Sequence, residues 1–219
     1  MKIKENSLFI MIGDSVTDGD HARPIGDAKD GIGQSYVGIV DALLGSTYRD
    51  LNCRVINAGT NGHTSRDLIA RWEQDVLAFS PDWVSIMIGI NDIWRQFDRP
   101  LDPSWHVKID AYEKNLIEMI EKTQPITKNI ILMTPVFMEP NTLDVVRIAA
   151  DAYSAVVKKL AVQYSCTFVD VQSAFDQYLK KHHPMSINAD RVHPNQLGHT
   201  IIAKALLNSI DFDFYNELK

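Results

Sequence analysis

The sequence is poor in cysteine, in long apolar runs and in positive charge. Two cysteines in 219 residues, Cys53 and Cys166, make no disulfide framework. Each stands beside or within an expected strand, so both read as buried core residues. No apolar run approaches the roughly 20 residues that a membrane-spanning helix needs. Near the amino terminus the run from Leu8 to Ile12 is followed at once by Gly13 and Asp14, too short for a secretory signal. A cytoplasmic location with no membrane partner is the expectation. A formal net charge of -6 repels phosphate backbones and makes nucleic acid a poor partner.

Several catalytic signatures are missing too. There is no G-x-x-x-x-G-K-[ST] phosphate loop. Gly31-Ile32-Gly33 supplies only G-x-G and follows no strand, so a dinucleotide site is not indicated. No G-x-S-x-G elbow surrounds Ser15, which argues against the α/β-hydrolase fold. Asp190, His193 and His199 match no closed zinc pattern and no cysteine lies near them, so no metal site is expected. His199 reads as a packing or surface residue of the last helix.

What is present is an alternation of short apolar runs with helical patterns. Ser7–Ile12, Arg54–Asn57, Trp83–Ile88, Asn129–Thr134 and Thr167–Val171 read as strands. They lack polar alternation, as parallel strands covered on both faces should. Helices are expected over Gln34–Leu44, Thr64–Ala78, Asp110–Thr123, Asp144–Gln163 and Asn195–Ser209, with Thr64 and Asp67 as a capping pair and Pro194 in the first turn of the last. The pattern predicts one α/β domain, residues 1–219, with a parallel sheet of five strands and helices on both sides. A hydrophobic content of 45% is enough for one such core. Two stretches, Gly19–Gly33 and Gln96–Trp105, read as long irregular loops.

In open α/β sheets ligands bind at the carboxyl ends of the strands, and there the sequence places four polar clusters: Gly13-Asp14-Ser15, Asn57-Ala58-Gly59-Thr60-Asn61-Gly62-His63, Gly89-Ile90-Asn91-Asp92, and Asp190-Arg191-Val192-His193-Pro194. The residue types suit acyl transfer. A serine hydroxyl needs a base, and His193 is one that works at neutral pH; Asp190, three residues earlier, can bond its other ring nitrogen. A tetrahedral intermediate needs donors for its oxyanion, and Ser15 N–H, Gly62 N–H and the Asn91 side chain are the candidates. Gly59 and Asp92 read as structural, Asp92 bonding backbone within its own loop.

In their order and in the D-x-x-H spacing these clusters resemble the four blocks of the SGNH hydrolases, or GDSL esterases, with Val16 in place of the namesake leucine. PDWVSIMIGINDIWRQF, KNIILMTP, Ala22-Arg23-Pro24 and DRVHP are similar, more narrowly, to the intracellular acetylxylan esterases of that superfamily. The resemblance implies a flavodoxin-like three-layer α/β/α fold with its five parallel strands in the order 2-1-3-4-5, deacetylation of xylo-oligosaccharides or related acetylated sugars without a cofactor, and a homo-oligomer. One departure stands out: Ala189 occupies a position where a bulky tryptophan is expected. Trp94, Trp105, Arg66 and Arg95 are candidates for contact with the sugar, and Trp83 belongs to the core.

Two other readings remain open at this point. One is a thioesterase or lysophospholipase-type acyl hydrolase with the same triad. The other is a non-catalytic flavodoxin-like module binding a phosphate ligand, which the Gly-rich loops favour and the aspartates at 14, 18, 20, 27 and 30 oppose.

Overall fold

A computed structural model describes residues 1–27 and 31–216; Asp30, one of the aspartates weighed against an anionic ligand, lies outside them. The chain runs β1 (Leu8–Gly13), α1 (Ser15–Asp18), β2 (Gly26–Asp27), α2 (Tyr36–Thr47), β3 (Arg54–Gly59), α3 (Ser65–Asp75), β4 (Trp83–Met87), α4 (Ile90–Asp98), α5 (Ile109–Thr123), β5 (Ile130–Met133), α6 (Val145–Gln163), β6 (Thr167–Val169), α7 (Val171–Leu179) and α8 (Gln196–Ser209). The sheet order is β2-β3-β1-β4-β5-β6. Its five longer strands are parallel, in the order expected. The sheet has six strands rather than five. The extra one, β2, lies inside the stretch read as irregular and pairs antiparallel with β3 through only Gly26 and Asp27. Two residues with glycine and aspartate carry no strand pattern, so this edge was invisible in the sequence.

Successive strand residues point to opposite faces. Phe9 and Met11 of β1 pack with Tyr36, Val40 and Leu44 of α2 and Ile202 and Leu206 of α8. Ile10 and Ile12 pack on the other face with Leu68 and Trp72 of α3, Tyr112 and Leu116 of α5, and Val156 and Leu160 of α6. Both faces are covered, which is why the strands are apolar throughout. Trp83 is buried as expected. Cys53 and Cys166 are free thiols, but each is only partly buried and packs at a core margin.

Helix ends follow their caps. Asp144 accepts N–H bonds from Val146 and Arg147, and the Asp67 carboxylate accepts Thr64 N–H and Oγ1–H. Asn195 caps α8, which moves Pro194 from the first turn to just outside it. The stretch from Gln96 is helical as far as Asp98, the end of α4, so that loop is shorter than expected. No helix among the described residues is long and apolar enough to cross a membrane.

Candidate active site

The carboxyl end of the central strand sets up the site. Strand β1 ends at Gly13, where a Cβ would lie 2.3 Å from both Met87 O and Thr17 Oγ1, so only glycine lets β4 and the next turn approach. Asp14 then caps α1, its side chain accepting Val16 N–H at 3.0 Å, and Ser15 opens that turn. Burial pushes the Asp14 carboxyl up to about 7, with the Val16 N–H opposing.

Ser15 Oγ lies 2.9 Å from His193 Nε2, across 178 residues of chain. His193 Nδ1 lies 2.7 Å from Asp190 Oδ2. An ionised carboxylate only accepts, so Nδ1 carries the proton and Nε2 is left to accept from the serine hydroxyl. Asp190 Oδ1 in turn accepts the backbone N–H of Val192 and of His193, each at 2.9 Å. Burial would raise the Asp190 carboxyl, but the His193 N–H leads a set of bonds that outweighs it and holds the group below the ordinary carboxylate value. The histidine side chain is 52% exposed and the aspartate 44%. The triad therefore stands at the rim of the molecule rather than in a deep pocket. A cavity of about 1090 Å³ around Tyr48–Leu51 and the amino terminus lies at the opposite end of the sheet and contains none of these residues.

The second and third clusters converge on the first. Thr60 N–H donates to Gly13 O at 3.1 Å. Gly62 has φ +78° and nothing within 4 Å of where a Cβ would sit, and its N–H makes no hydrogen bond among the described residues. Asn91, buried at the start of α4, donates one side-chain N–H to His63 O at 3.0 Å, and its amide has a second. Asp92 is buried and structural, but its partner is not in its own loop. It accepts the Ser65 N–H at 3.0 Å and the Ser65 Oγ–H at 2.5 Å, at the start of α3. Burial pushes Asp92 up to about 7 against those bonds. A Cβ at Gly59 would meet Asp18 N at 2.3 Å, so that glycine serves packing.

The expected sugar contacts are less convergent. Trp94 is partly buried, its ring edge-on to Phe137 at 6.1 Å, and Phe137 lies under the Arg191 guanidinium at 5.0 Å. Trp105 is 43% exposed and carries Arg99 over its ring at 4.3 Å. Arg66 donates to Ser104 O at 2.9 Å, and Arg95 pairs with Asp98. None of the four touches Ser15, Asp190 or His193 in the hydrogen bonds and ring contacts of the described residues; Trp94 reaches the triad only through Phe137 and Arg191. His199 is buried, accepts Tyr36 N–H at 3.2 Å, and is held down to about 4 by burial and then by His193, as a packing residue.

Sequence reasoning missed Arg71 and Arg191. Arg71 pairs with Asp75 one turn on, which in a sequence is indistinguishable from a solvated helix pair. Arg191 sits between the two triad members with φ +63°, a backbone state that no local signal announces for arginine.

This constellation places a hydroxyl, a base and an orienting carboxylate in line. The GDSL-like lipase/acylhydrolase family model matches residues 11–201. The chain belongs to that family. Among GDSL-like relatives, an acetylxylan esterase of Geobacillus stearothermophilus is 47% identical over 215 residues, 98% of each chain. Its crystal structure superposes with TM-score 0.96 over 97% of this chain and 98% of that one. Solved catalytic mutants of that esterase replace a serine, an aspartate and a histidine three residues after the aspartate, and another replaces a tryptophan directly before that aspartate. An alpha/beta hydrolase enzyme from the metagenome of Lake Arreo, Spain, matches with TM-score 0.94 and 42% identity over 97% of this chain and 98% of that one. The GDSL-like chain described here is accordingly a carboxylic ester hydrolase.

Proposed function

We propose that the chain, as a single domain over residues 1–219, is an acetylesterase that deacetylates xylo-oligosaccharides or closely related acetylated sugars. The observation that carries the chemistry is the line Ser15 Oγ, His193 Nε2, His193 Nδ1, Asp190 Oδ2, with steps of 2.9 and 2.7 Å. Ser15 attacks the ester carbonyl while His193 takes its proton. Asp190 holds the ring in the required tautomer and offsets its charge. Ser15 N–H, Gly62 N–H and the free Asn91 N–H hold the oxyanion. His193 then gives its proton to the departing sugar oxygen, and water activated by His193 releases acetate. The scheme needs no cofactor.

The substrate class is supported by the likeness to an acetyl-xylooligosaccharide esterase at 47% identity and by the exposed triad. A rim site admits a bulky, hydrated alcohol portion and offers little apolar surface for a long acyl chain. Exposed Ala189 beside Asp190 leaves the sugar side open. An acyl-chain series beside acetylated xylo-oligosaccharides tests this reading. kcat/KM is highest for acetyl esters; a preference for chains much longer than acetyl overturns it in favour of a thioesterase or lysophospholipase-type enzyme. Ser15→Ala abolishes turnover without loss of fold, and retained activity removes the nucleophile assignment. We propose a cytoplasmic location, with a homo-oligomer as the working state.

A further inference from the structure

On the Cβ side of Gly62 there is nothing within 4 Å to hold it. Its neighbours must therefore set its height above the nucleophile. His63, the next residue, is tied at two points. Its carbonyl accepts Asn91 Nδ2–H at 3.0 Å, and its ring Nδ1 accepts Arg71 Nε–H at 3.2 Å. The same guanidinium donates through Nη1 to Ala58 O at 2.9 Å and through Nη2 to Gly13 O at 3.2 Å, the ends of the paired strands β3 and β1. Asp75 also accepts from Nη1, and the Arg71 side chain is only 16% exposed. One planar fork thus spans the strand before Ser15, the strand before Gly62, and the oxyanion segment. A lysine head group, a single point donor, cannot span three such acceptors at once.

We propose that Arg71, acting through His63 Nδ1, is the positioning residue that holds the Gly62 N–H in register with Ser15. This rests on the reading of Gly62 and Asn91 as oxyanion donors. With Nδ1 accepting, the His63 proton sits on Nε2. Burial, and after it the Arg71 charge, disfavour a second proton on the ring, with Asp67 and Asp75 opposing. The imidazole therefore stays a neutral acceptor for the guanidinium.

The test is steady-state kinetics on a small acetyl ester with three substitutions of the couple. His63→Leu removes the acceptor; kcat falls on the order of 10- to 100-fold, as a small misplacement of a reacting group does, while KM stays within about twofold. His63→Asn, whose Oδ1 takes the place of Nδ1, restores most of that loss. Arg71→Met, combined with Asp75→Asn so that no carboxylate is stranded, lowers kcat to a similar degree, and adding His63→Leu to it costs little more. Wild-type kcat in His63→Leu, equal damage in His63→Asn and His63→Leu, or losses that multiply would each overturn the proposal. Asn91→Ala run in parallel separates the two levels. A large loss there with none in His63→Leu sinks only the Arg71 device; no loss there sinks the oxyanion reading itself.

Discussion

Both oxygens of Asp190 serve His193: Oδ1 accepts its backbone N–H at 2.9 Å and Oδ2 faces its ring Nδ1 at 2.7 Å. The carboxylate therefore fixes the backbone turn and the ring tautomer together. Asp190→Asn separates the two functions. The amide oxygen can still accept the backbone N–H, but the NH2 presents a donor to Nδ1 and forces the ring proton to Nε2, where it meets the serine hydroxyl. A kcat loss on the order of 10⁴-fold is expected, the size known for such a tautomer error elsewhere, with secondary structure unchanged by circular dichroism. A loss under tenfold would show that Asp190 is only a turn residue.

The buried Asn91 amide makes one bond to His63 O and has a second N–H, the one proposed as an oxyanion donor. Asn91→Ala is expected to lower kcat on the order of 10²-fold with KM little changed, as removal of one oxyanion donor does. An effect confined to KM would place the side chain in ground-state binding instead.

Arg191 sets two effects of similar size against each other. A non-glycine residue at φ +63° costs roughly 1–2 kcal/mol. Its half-exposed pair with Glu139 is worth at most about 1 kcal/mol, and its position over Phe137 about 0.5–1 kcal/mol. Arg191→Gly, which relieves the backbone and loses the contacts, should stay within about 1 kcal/mol of wild type in urea unfolding. Arg191→Val, which loses the contacts and keeps the strain, should be destabilised by about 2 kcal/mol. Equal midpoints for the two variants would refute the strain.

Asp14 gives a pH signature. Its folded pKa, about 7, lies above the unfolded value of 3.8 because burial disfavours the charge. Its contribution to stability is complete below about 4 and is lost as pH rises towards and through about 7. Asp14→Asn keeps an oxygen to cap Val16 N–H and has no proton to lose. Its Tm should therefore gain on that of the wild type from about pH 4 to about pH 7, then run parallel. Parallel curves across the whole range would mean that the wild-type carboxyl ionises without cost.

Trp105 and Trp94 should part company in kinetics. Trp105, exposed beneath Arg99, is free to stack on a sugar. Trp105→Ala is expected to raise KM severalfold for an acetylated xylo-oligosaccharide and to leave a small acetyl ester unaffected. Trp94→Ala, which removes the edge contact to Phe137, should affect both substrates alike. The opposite pattern would exchange their roles.

The sequence by itself determined the parallel sheet with helices on both sides and the four polar clusters to which the chemistry is assigned. Apolar runs buried on both faces and helical spacing are local signals, and Ser15, Gly62, Asn91, Asp190 and His193 each follow a strand or precede a helix that can be read directly. It did not determine β2, because two residues at a sheet edge have no pattern of their own. Nor did it show that Asp92 bonds Ser65 rather than its own loop, that Trp94 faces Phe137, or that Arg71 grips Gly13, Ala58 and His63. Those are contacts between segments far apart in the chain, made by side chains whose local spacing suits a solvated helix equally well. Packing of the helices against the sheet brings their partners within reach, and only there does a guanidinium meet the ends of two strands at once.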